Sequence, residues 1–158
     1  MHEQLDVPAA GNQGPVPGEE YEVPLGEADI KREGDDMTIV TIGAMIHRAI
    51  ETAETLADEA NIDCEVVDLR SVVPLDEETV VESARKTGWV IVVGEDYERY
   101  GLTGEIASVV AGRAFDALTA PVKRVGTTWY RSCSARRSKT VLPSAQDIRT
   151  AVKEISSG

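Results

Sequence analysis

The chain has 158 residues, a length that fits one domain, and 42% of them are hydrophobic, enough to build a buried core. It contains no run of about 18 apolar residues, so the sequence predicts no membrane span. The polar, Pro/Gly-rich N-terminus lacks the apolar segment of a signal peptide, which favours the cytoplasm. The formal net charge of −12 excludes nucleic acid as a natural partner, because its phosphates would be repelled.

The acidic composition has two interpretations that the sequence does not separate. Asp and Glu number 28 against 16 Lys and Arg. This excess suits a hydrated surface in a salt-rich cytoplasm, where screening reduces self-repulsion. It equally suits an acidic face that meets a basic partner. The two cysteines, Cys64 and Cys133, form neither a disulfide framework nor a metal site, and Cys64 is expected to fill a small space in the core.

The first half of the chain begins with a linker and then becomes regular. Residues 1–20 are predicted to be a linker and residues 21–158 the folded domain, whose first part, 21–34, is extended and mixed. Residues 37–42 are apolar and β-branched, as in a strand. A helix follows, because apolar residues recur at steps of three and four. Its inward residues are predicted to be Met45, Ala49, Ala53, Leu56 and Ala60, and its solvated ones His47, Arg48, Glu51, Glu54 and Asp58.

The middle of the chain predicts a second strand, a second helix and a third strand. The second strand covers residues 65–69. Asp76 is placed to cap a helix whose first turn carries two glutamates, and this helix is expected to reach Lys86 and to end at Gly88. The third strand, residues 89–93, is the most apolar.

The last third predicts a loop over residues 94–101, a helix over 104–114, a strand over 122–125 and a final helix over 145–155. Strands that are apolar on both faces and alternate with helices are typical of a parallel sheet covered on both sides. The sequence therefore predicts a three-layer α/β fold with a mostly parallel sheet of about five strands.

The best place for a ligand is the segment after the third strand, since open parallel sheets bind ligands at the carboxyl ends of their strands. Gly101 and Gly104 precede a helix and could present backbone N–H groups to a small anion. Carboxylates beside them would repel a phosphate, and the spacing fits neither the dinucleotide nor the P-loop pattern. An interface loop is the preferred interpretation, a stand-alone anion-binding module the alternative. The candidate interface residues are Glu95, Asp96, Gly101, Gly104 and Glu105. No residue is predicted to be catalytic, to bind a cofactor or to hold a metal.

Five segments together resemble the C-terminal domain of the β subunits of thiamine-diphosphate-dependent 2-oxoacid dehydrogenases, which act on pyruvate or branched-chain 2-oxoacids. They are residues 21–40 (YEVPLGEADIKREGDDMTIV), 65–76 (EVVDLRSVVPLD), 83–88 (SARKTG), 101–107 (GLTGEIA) and 120–125 (APVKRV). The resemblance covers about residues 16–125 and resumes at Leu142 and Pro143. The first segment favours this family over the transketolases, which share the fold.

The resemblance implies a role in assembly. In this family thiamine diphosphate and magnesium are bound by the α subunit and by the N-terminal domain of the β subunit, which would precede residue 1. The resemblance therefore implies that this chain alone binds no cofactor and is inactive. It implies contacts with an α subunit and a second β subunit in an α2β2 enzyme, and docking to the acyltransferase core. A nonfunctional gene remnant is a further alternative.

Two departures from the family pattern stand out. Thr119 occupies a position where the family usually has Asp or Glu, which puts an acidic docking contact there in doubt. Residues 129–139 (WYRSCSARRSK) do not match the family at all. Back-translated with plausible codons and read from the third base, this segment gives VPVLFSPTLEN, which does match. One hypothesis is a frame-shifted segment between two compensating indels, and the other is a genuine basic loop that binds a partner.

Overall fold

The computed structural model describes residues 22–127 and 142–156. Five strands, four helices and one 3₁₀ turn, Phe115–Ala117, are found in this part of the chain. In chain order they are β1 (Asp29–Arg32), β2 (Met37–Thr41), α1 (Met45–Ala60), β3 (Cys64–Asp68), α2 (Glu77–Thr87), β4 (Val90–Tyr97), α3 (Leu102–Arg113), β5 (Lys123–Thr127) and α4 (Ala145–Ser156). The predicted linker, Cys133 and residues 129–139 lie outside the described residues.

The strands form one sheet in the order β1-β3-β2-β4-β5. All neighbours are parallel except β1, which pairs antiparallel with β3 at one edge. Helices α1 and α4 cover one face, and α2 and α3 cover the other. The predicted three-layer α/β fold with a mostly parallel sheet is therefore confirmed.

Alternation along the central strands divides the core into two halves. On β2, Ile39 faces α1 and α4, while Val40 faces α2 and α3. Both are fully buried, as expected of a parallel sheet covered on both faces. Cys64 is also fully buried, and burial raises the pKa of its thiol to about 11. The prediction that Cys64 fills space in the core is confirmed.

The predicted face of α1 is mostly correct. Met45, Ala49, Ala53 and Leu56 are buried, but Ala60 is exposed. The error lies at the last residue, where the helix ends at Asn61 in the left-handed conformation, with φ of 54°. The final turn of α1 therefore leaves the sheet before it can bury its side chains.

Helix α2 begins and ends as the sequence predicts. The backbone N–H of Thr79 donates to the side chain of Asp76 at 3.1 Å, and Gly88 ends the helix with φ of 71°. A hydroxyl hydrogen bond from Thr79 to the same carboxylate, 2.7 Å long, adds to the cap. The start of α2 is thus determined by residues adjacent in sequence.

At the amino end of the sheet a buried glutamate pairs with an exposed lysine, a contact that gives no signal in the sequence. Glu65 on β3 is only 1% exposed, and one of its carboxylate oxygens lies 2.6 Å from the ammonium of Lys86 near the end of α2. Lys86 also lies 3.1 Å from Glu33 and 3.4 Å from Asp35. These partners, Glu65 above all, raise the pKa of Lys86 above its ordinary value. The ion pair thus joins the last turn of α2 to β3, whereas Asp76 caps the first turn of the same helix.

Within the described residues, no helix has the length and apolar character needed to cross a membrane.

Candidate functional site

The predicted interface residues lie where β4 passes into α3, at the carboxyl end of the sheet. The prediction of a loop from residue 94 is wrong, because β4 continues to Tyr97, which pairs with Thr127 on β5. The register shifts between Val93 and Tyr97, so the extension follows an irregularity in the ladder that apolar periodicity does not show. The hydroxyl of Thr127 donates to the carbonyl of Glu95 at 2.8 Å and fixes this extension.

The carboxylate of Asp96 occupies the N-terminus of α3. The backbone N–H of Thr103 donates to it over 3.5 Å, while Gly101, the N-cap residue just before the helix, has no side chain that could accept this hydrogen bond. A carboxylate at this place is favourable because the first N–H groups of a helix have no partners within the helix and carry partial positive charge. The site predicted for a small anion is therefore filled by a carboxylate of the chain itself.

Two glycines make room for this carboxylate. A Cβ atom on Gly101 would collide with Asp96 and with the backbone carbonyl of Tyr97, and a Cβ on Gly94 would collide with Asp96 and with the methyl group of Thr103. Gly101 has a φ of −95°, which any residue adopts, so the requirement for glycine is one of space. The glycines thus accommodate the carboxylate of Asp96 beside the first turn of α3.

The other three predicted interface residues do not contact the carboxylate of Asp96 in the same way. Glu95 and Glu105 are exposed, while Gly104 is half-buried, with the guanidinium of Arg124 3.4 Å from the position of a Cβ. Thr103, which the sequence analysis did not select, is 1% exposed, and its hydroxyl lacks a hydrogen-bond partner in the described structure. Among residues 22–127 and 142–156, no three His, Cys, Asp or Glu side chains are placed to hold a metal ion. In the predicted cluster, Asp96 therefore caps α3, while Glu95 and Glu105 are exposed and available for contact with another protein.

A second feature adjoins this cluster, on the outer side of α3. Between α3 and the segment that leads into β5 runs an open, mainly apolar groove of about 660 Å³. Its lining includes Gly104, Ala107, Ser108, Ala111, Phe115 and residues 118–122. This groove could not be predicted from the sequence, because Gly, Ala and Ser on a helix give no amphipathic signal.

The segment before β1 lies on the carboxyl end of β3. The N–H of Gly26 donates to the hydroxyl of Ser71 at 2.9 Å, and that of Ala28 donates to the carboxylate of Asp76, also at 2.9 Å. Asp76 therefore both caps α2 and holds the chain that enters the domain. Beside it, Leu25 is 77% exposed and Val73 89% exposed, so apolar side chains remain uncovered where the chain enters.

Comparison with known proteins agrees with the resemblance seen in the sequence. Residues 26–148 match the family described as the transketolase C-terminal domain. The β subunit of 2-oxoisovalerate dehydrogenase from Bacillus subtilis is 43% identical over 113 residues, or 72% of this chain and 34% of the relative. The β subunit of the pyruvate dehydrogenase E1 component from the same species is 39% identical over 140 residues, which is 89% of this chain and 43% of the relative.

A third relative is the β subunit of acetoin:2,6-dichlorophenolindophenol oxidoreductase from Cupriavidus necator, 48% identical over 115 residues, or 73% of this chain and 34% of the relative. Among solved structures, a split gene transketolase described as an inactive β4 tetramer superposes with a TM-score of 0.70 at 31% identity, covering 85% of this chain and 44% of that one. The chain thus spans less than half the length of these relatives. It belongs to the transketolase C-terminal domain family, in the form found in the β subunits of 2-oxoacid dehydrogenases.

Proposed function

We propose that this chain serves the assembly of a 2-oxoacid dehydrogenase, as the C-terminal part of its β subunit. In this proposal residues 1–20 are a linker and residues 21–158 the domain. That domain holds β subunits to one another and to the α subunit, and it docks the enzyme to the acyltransferase core. Thiamine diphosphate and magnesium are bound elsewhere in the enzyme. The observation that carries the proposal is the 39% identity with the β subunit of a pyruvate dehydrogenase E1 component over 140 residues, 89% of this chain.

The carboxyl end of the sheet supports an assembly role over chemistry. Asp96 fills the position at the N-terminus of α3 that an anionic ligand would need, and Gly101 and Gly94 are shaped around it. Binding a diphosphate there would place two like charges together with no cation between them, which is costly. No observation favours the alternative of a stand-alone anion-binding module.

The substrate class remains a 2-oxoacid or a closely related compound. The relatives named for 2-oxoisovalerate, pyruvate and acetoin are 43%, 39% and 48% identical to this chain. These identities are too similar to favour one of the three substrates. We therefore propose the enzyme class without choosing among these substrates.

The proposal is tested by capture and by calorimetry. We expect the purified chain to form a stable complex with the α subunit of a 2-oxoacid dehydrogenase from the same organism, seen by affinity capture and by mass. We expect no heat of binding when the chain alone is titrated with thiamine diphosphate and magnesium. Failure to capture the α subunit, or micromolar cofactor binding by the chain alone, would contradict the proposal.

The alternatives of a gene remnant and of a frame-shifted segment are tested separately. Sequencing the DNA that encodes residues 129–139, together with the DNA upstream of Met1, distinguishes them. If the codons read in the neighbouring frame do not give the Pro-Val-x-Phe-Ser-Pro pattern, the frame-shift hypothesis is wrong.

A further inference from the structure

The start of α1 differs from the starts of the other three helices. Asp76 caps α2, Asp96 lies at the N-terminus of α3, and Asp147 lies in the first turn of α4. The first turn of α1 contains no Asp or Glu, and no side chain of the described residues caps this helix. Ala44 occupies its N-cap position. The first N–H groups of α1 therefore carry their partial positive charge without a hydrogen-bonded carboxylate.

A buried hydroxyl group without a partner lies next to this helix start. Thr41, the last residue of β2, is 1% exposed, and its hydroxyl makes no hydrogen bond in the described structure. Because side chains alternate along a strand, Thr41 points to the same face of the sheet as Ile39, the face that α1 covers. Only three residues separate it from Met45, so the hydroxyl is directed at the first turn of α1. A buried polar group without a partner is costly and indicates a ligand or a water.

The start of α1 also lies where open α/β sheets bind ligands. From β2 the chain continues to β3 on one side, whereas from the neighbouring β4 it continues to β5 on the other, so the strand order reverses between β2 and β4. Ligands typically bind outside the carboxyl ends of the strands at such a point. Gly43, between β2 and α1, is exposed, and a Cβ atom on it would meet nothing within 4 Å. The backbone before α1 is therefore open to a ligand.

From these features we propose that the start of α1 binds a small phosphate group, as free phosphate or as a phosphomonoester. The first N–H groups of α1 and the hydroxyl of Thr41 donate hydrogen bonds to its oxygens. The site is on the opposite face of the sheet from the start of α3, which Asp96 occupies. The inference goes beyond the proposed function and does not depend on it, because it adds a ligand to a domain whose role is assembly.

The charges around the site favour a ligand with a single phosphate. His47, exposed in the first turn of α1, adds an imidazole to the surroundings of the site, while Arg48 is engaged with the carbonyl of Pro143. Glu95, exposed on the neighbouring strand β4, opposes an anion by its charge. The net charge of −12 repels a polyanion over a large surface, whereas one phosphate needs only the local donors. We therefore expect weak binding, with a dissociation constant in the millimolar range.

The first experiment titrates the chain with inorganic phosphate and follows thermal unfolding, with the ionic strength kept constant by KCl. Phosphate should raise the unfolding temperature of wild type. Ala44→Asp should abolish most of this effect, because it places a carboxylate of the chain at the start of α1. Ala60→Asp is the matched control, an equal change of charge at an exposed alanine of the same helix, and should respond as wild type does. A wild type that phosphate does not stabilise, or an Ala44→Asp variant that responds as wild type does, would overturn the inference.

Thr41→Val tests the hydroxyl, because it removes this group and keeps the shape of the side chain. Phosphate binding, measured by calorimetry, should weaken by roughly three- to tenfold, as expected for one hydrogen bond. Without phosphate the variant should be as stable as wild type or more stable, because a buried group without a partner is gone. A variant that loses stability without phosphate and keeps its affinity would show that the hydroxyl has a structural role only, and would overturn its place in the site.

Glu95→Gln tests the location of the site from the neighbouring strand. Removing the opposing charge should strengthen phosphate binding by roughly two- to fivefold, an effect that high KCl reduces. Unchanged or weaker binding in Glu95→Gln contradicts a site at this point of the sheet. Glycerol 3-phosphate, titrated beside inorganic phosphate, distinguishes the two sources of the ligand. Tighter binding of glycerol 3-phosphate assigns the site to a phosphomonoester, tighter binding of inorganic phosphate assigns it to the free ion, and binding of neither overturns the inference.

Discussion

Helices α2 and α3 both begin at the carboxyl end of the sheet on the same face, and both have an aspartate at the N-terminus, but they acquire it differently. Asp76 directly precedes α2 and lies 3.1 Å from the N–H of Thr79. Asp96 belongs to β4, five residues before Gly101, and lies 3.5 Å from the N–H of Thr103. The first cap is local in sequence, and the second is assembled by the fold.

Because one cap is adjacent in sequence and the other is not, the stability of each helix start depends on different residues. For α2, one side chain supplies the contact, so changing that residue is enough to remove it. For α3, the carboxylate fits only because Gly94 and Gly101 have no side chains. The start of α3 should therefore be most sensitive to the glycines around the aspartate, and less sensitive to the aspartate itself.

The largest effect is expected for Gly101→Ala. The added methyl group would overlap the carboxylate of Asp96 and the backbone carbonyl of Tyr97, and the backbone cannot move as a flexible side chain can. Overpacking of this kind costs about 1–3 kcal/mol of the free energy of unfolding. Urea denaturation followed by circular dichroism measures it.

Gly112→Ala is the matched control, because a Cβ there meets nothing within 4 Å. Gly112 lies in the last turn of α3. This change should therefore stabilise the protein by at most about 0.5–1 kcal/mol, the value for a helix interior, measured at the same protein concentration. If both variants shift the unfolding midpoint in the same direction, the proposed close packing around Gly101 is wrong.

The two caps also show how far the sequence predicts this fold. Asp76, the glutamates after it and Gly88 are neighbours along the chain, so the bounds of α2 could be predicted almost to the residue. Asp96 gave no such signal. Its role requires that β4 continue past Val93, and that extension depends on pairing with Thr127, thirty residues later in the chain.

The same distinction holds for the rest of the molecule. The apolar strands β2 and β3 and the buried face of α1 follow local periodicity and were predictable. The pairing of β1 with β3 and the burial of Glu65 against Lys86 depend on tertiary contacts, so neither could be predicted from local pattern. The groove beside α3 could not be predicted for another reason: the small residues that line it give no periodic hydrophobic pattern along the helix.

The next largest effect is expected for Asp76→Ala. This change removes the cap of α2 together with the acceptor for the N–H of Ala28. Loss of an N-cap aspartate typically costs about 0.5–2 kcal/mol, and the second contact places this variant in the upper half of that range. Asp58→Ala, on the exposed face of α1, should change stability by less than about 0.5 kcal/mol. Equal effects of the two substitutions in thermal unfolding would contradict a special role for Asp76.

A smaller loss of stability is expected for Asp96→Ala, about 0.5–1 kcal/mol, because the hydrogen bond to Thr103 is long. The variant should gain a property that wild type lacks. With the carboxylate removed, the first N–H groups of α3 are open to an anion. Inorganic phosphate should then raise the thermal unfolding temperature of Asp96→Ala, increasingly with its concentration and more than for wild type. A wild-type chain that phosphate stabilises equally would show that Asp96 does not occupy the site.

The smallest effect is the pH dependence that comes from Asp76. Partial burial acts to raise the pKa of this carboxyl, but the hydrogen bonds from Ala28 and Thr79 outweigh it, so the pKa lies below its ordinary value of 3.8. In the unfolded chain the carboxyl takes up its proton first as the pH falls. The stabilisation is therefore complete above pH 3.8 and is lost as the pH falls through the lower pKa of the folded state.

Substitution of Asp76 by asparagine separates this contribution from those of other carboxyls. Asp29, Asp116 and Asp147 also have lowered pKa values, so wild type should lose stability over the same acidic range for several reasons. The difference in the free energy of unfolding between wild type and Asp76→Asn should therefore be constant above pH 3.8 and should shrink below it. Asp58→Asn provides the baseline for losing an exposed aspartate. A difference for Asp76→Asn that grows as the pH falls would mean that the fold stabilises the protonated form of Asp76. The carboxylate would then not be the form that caps α2.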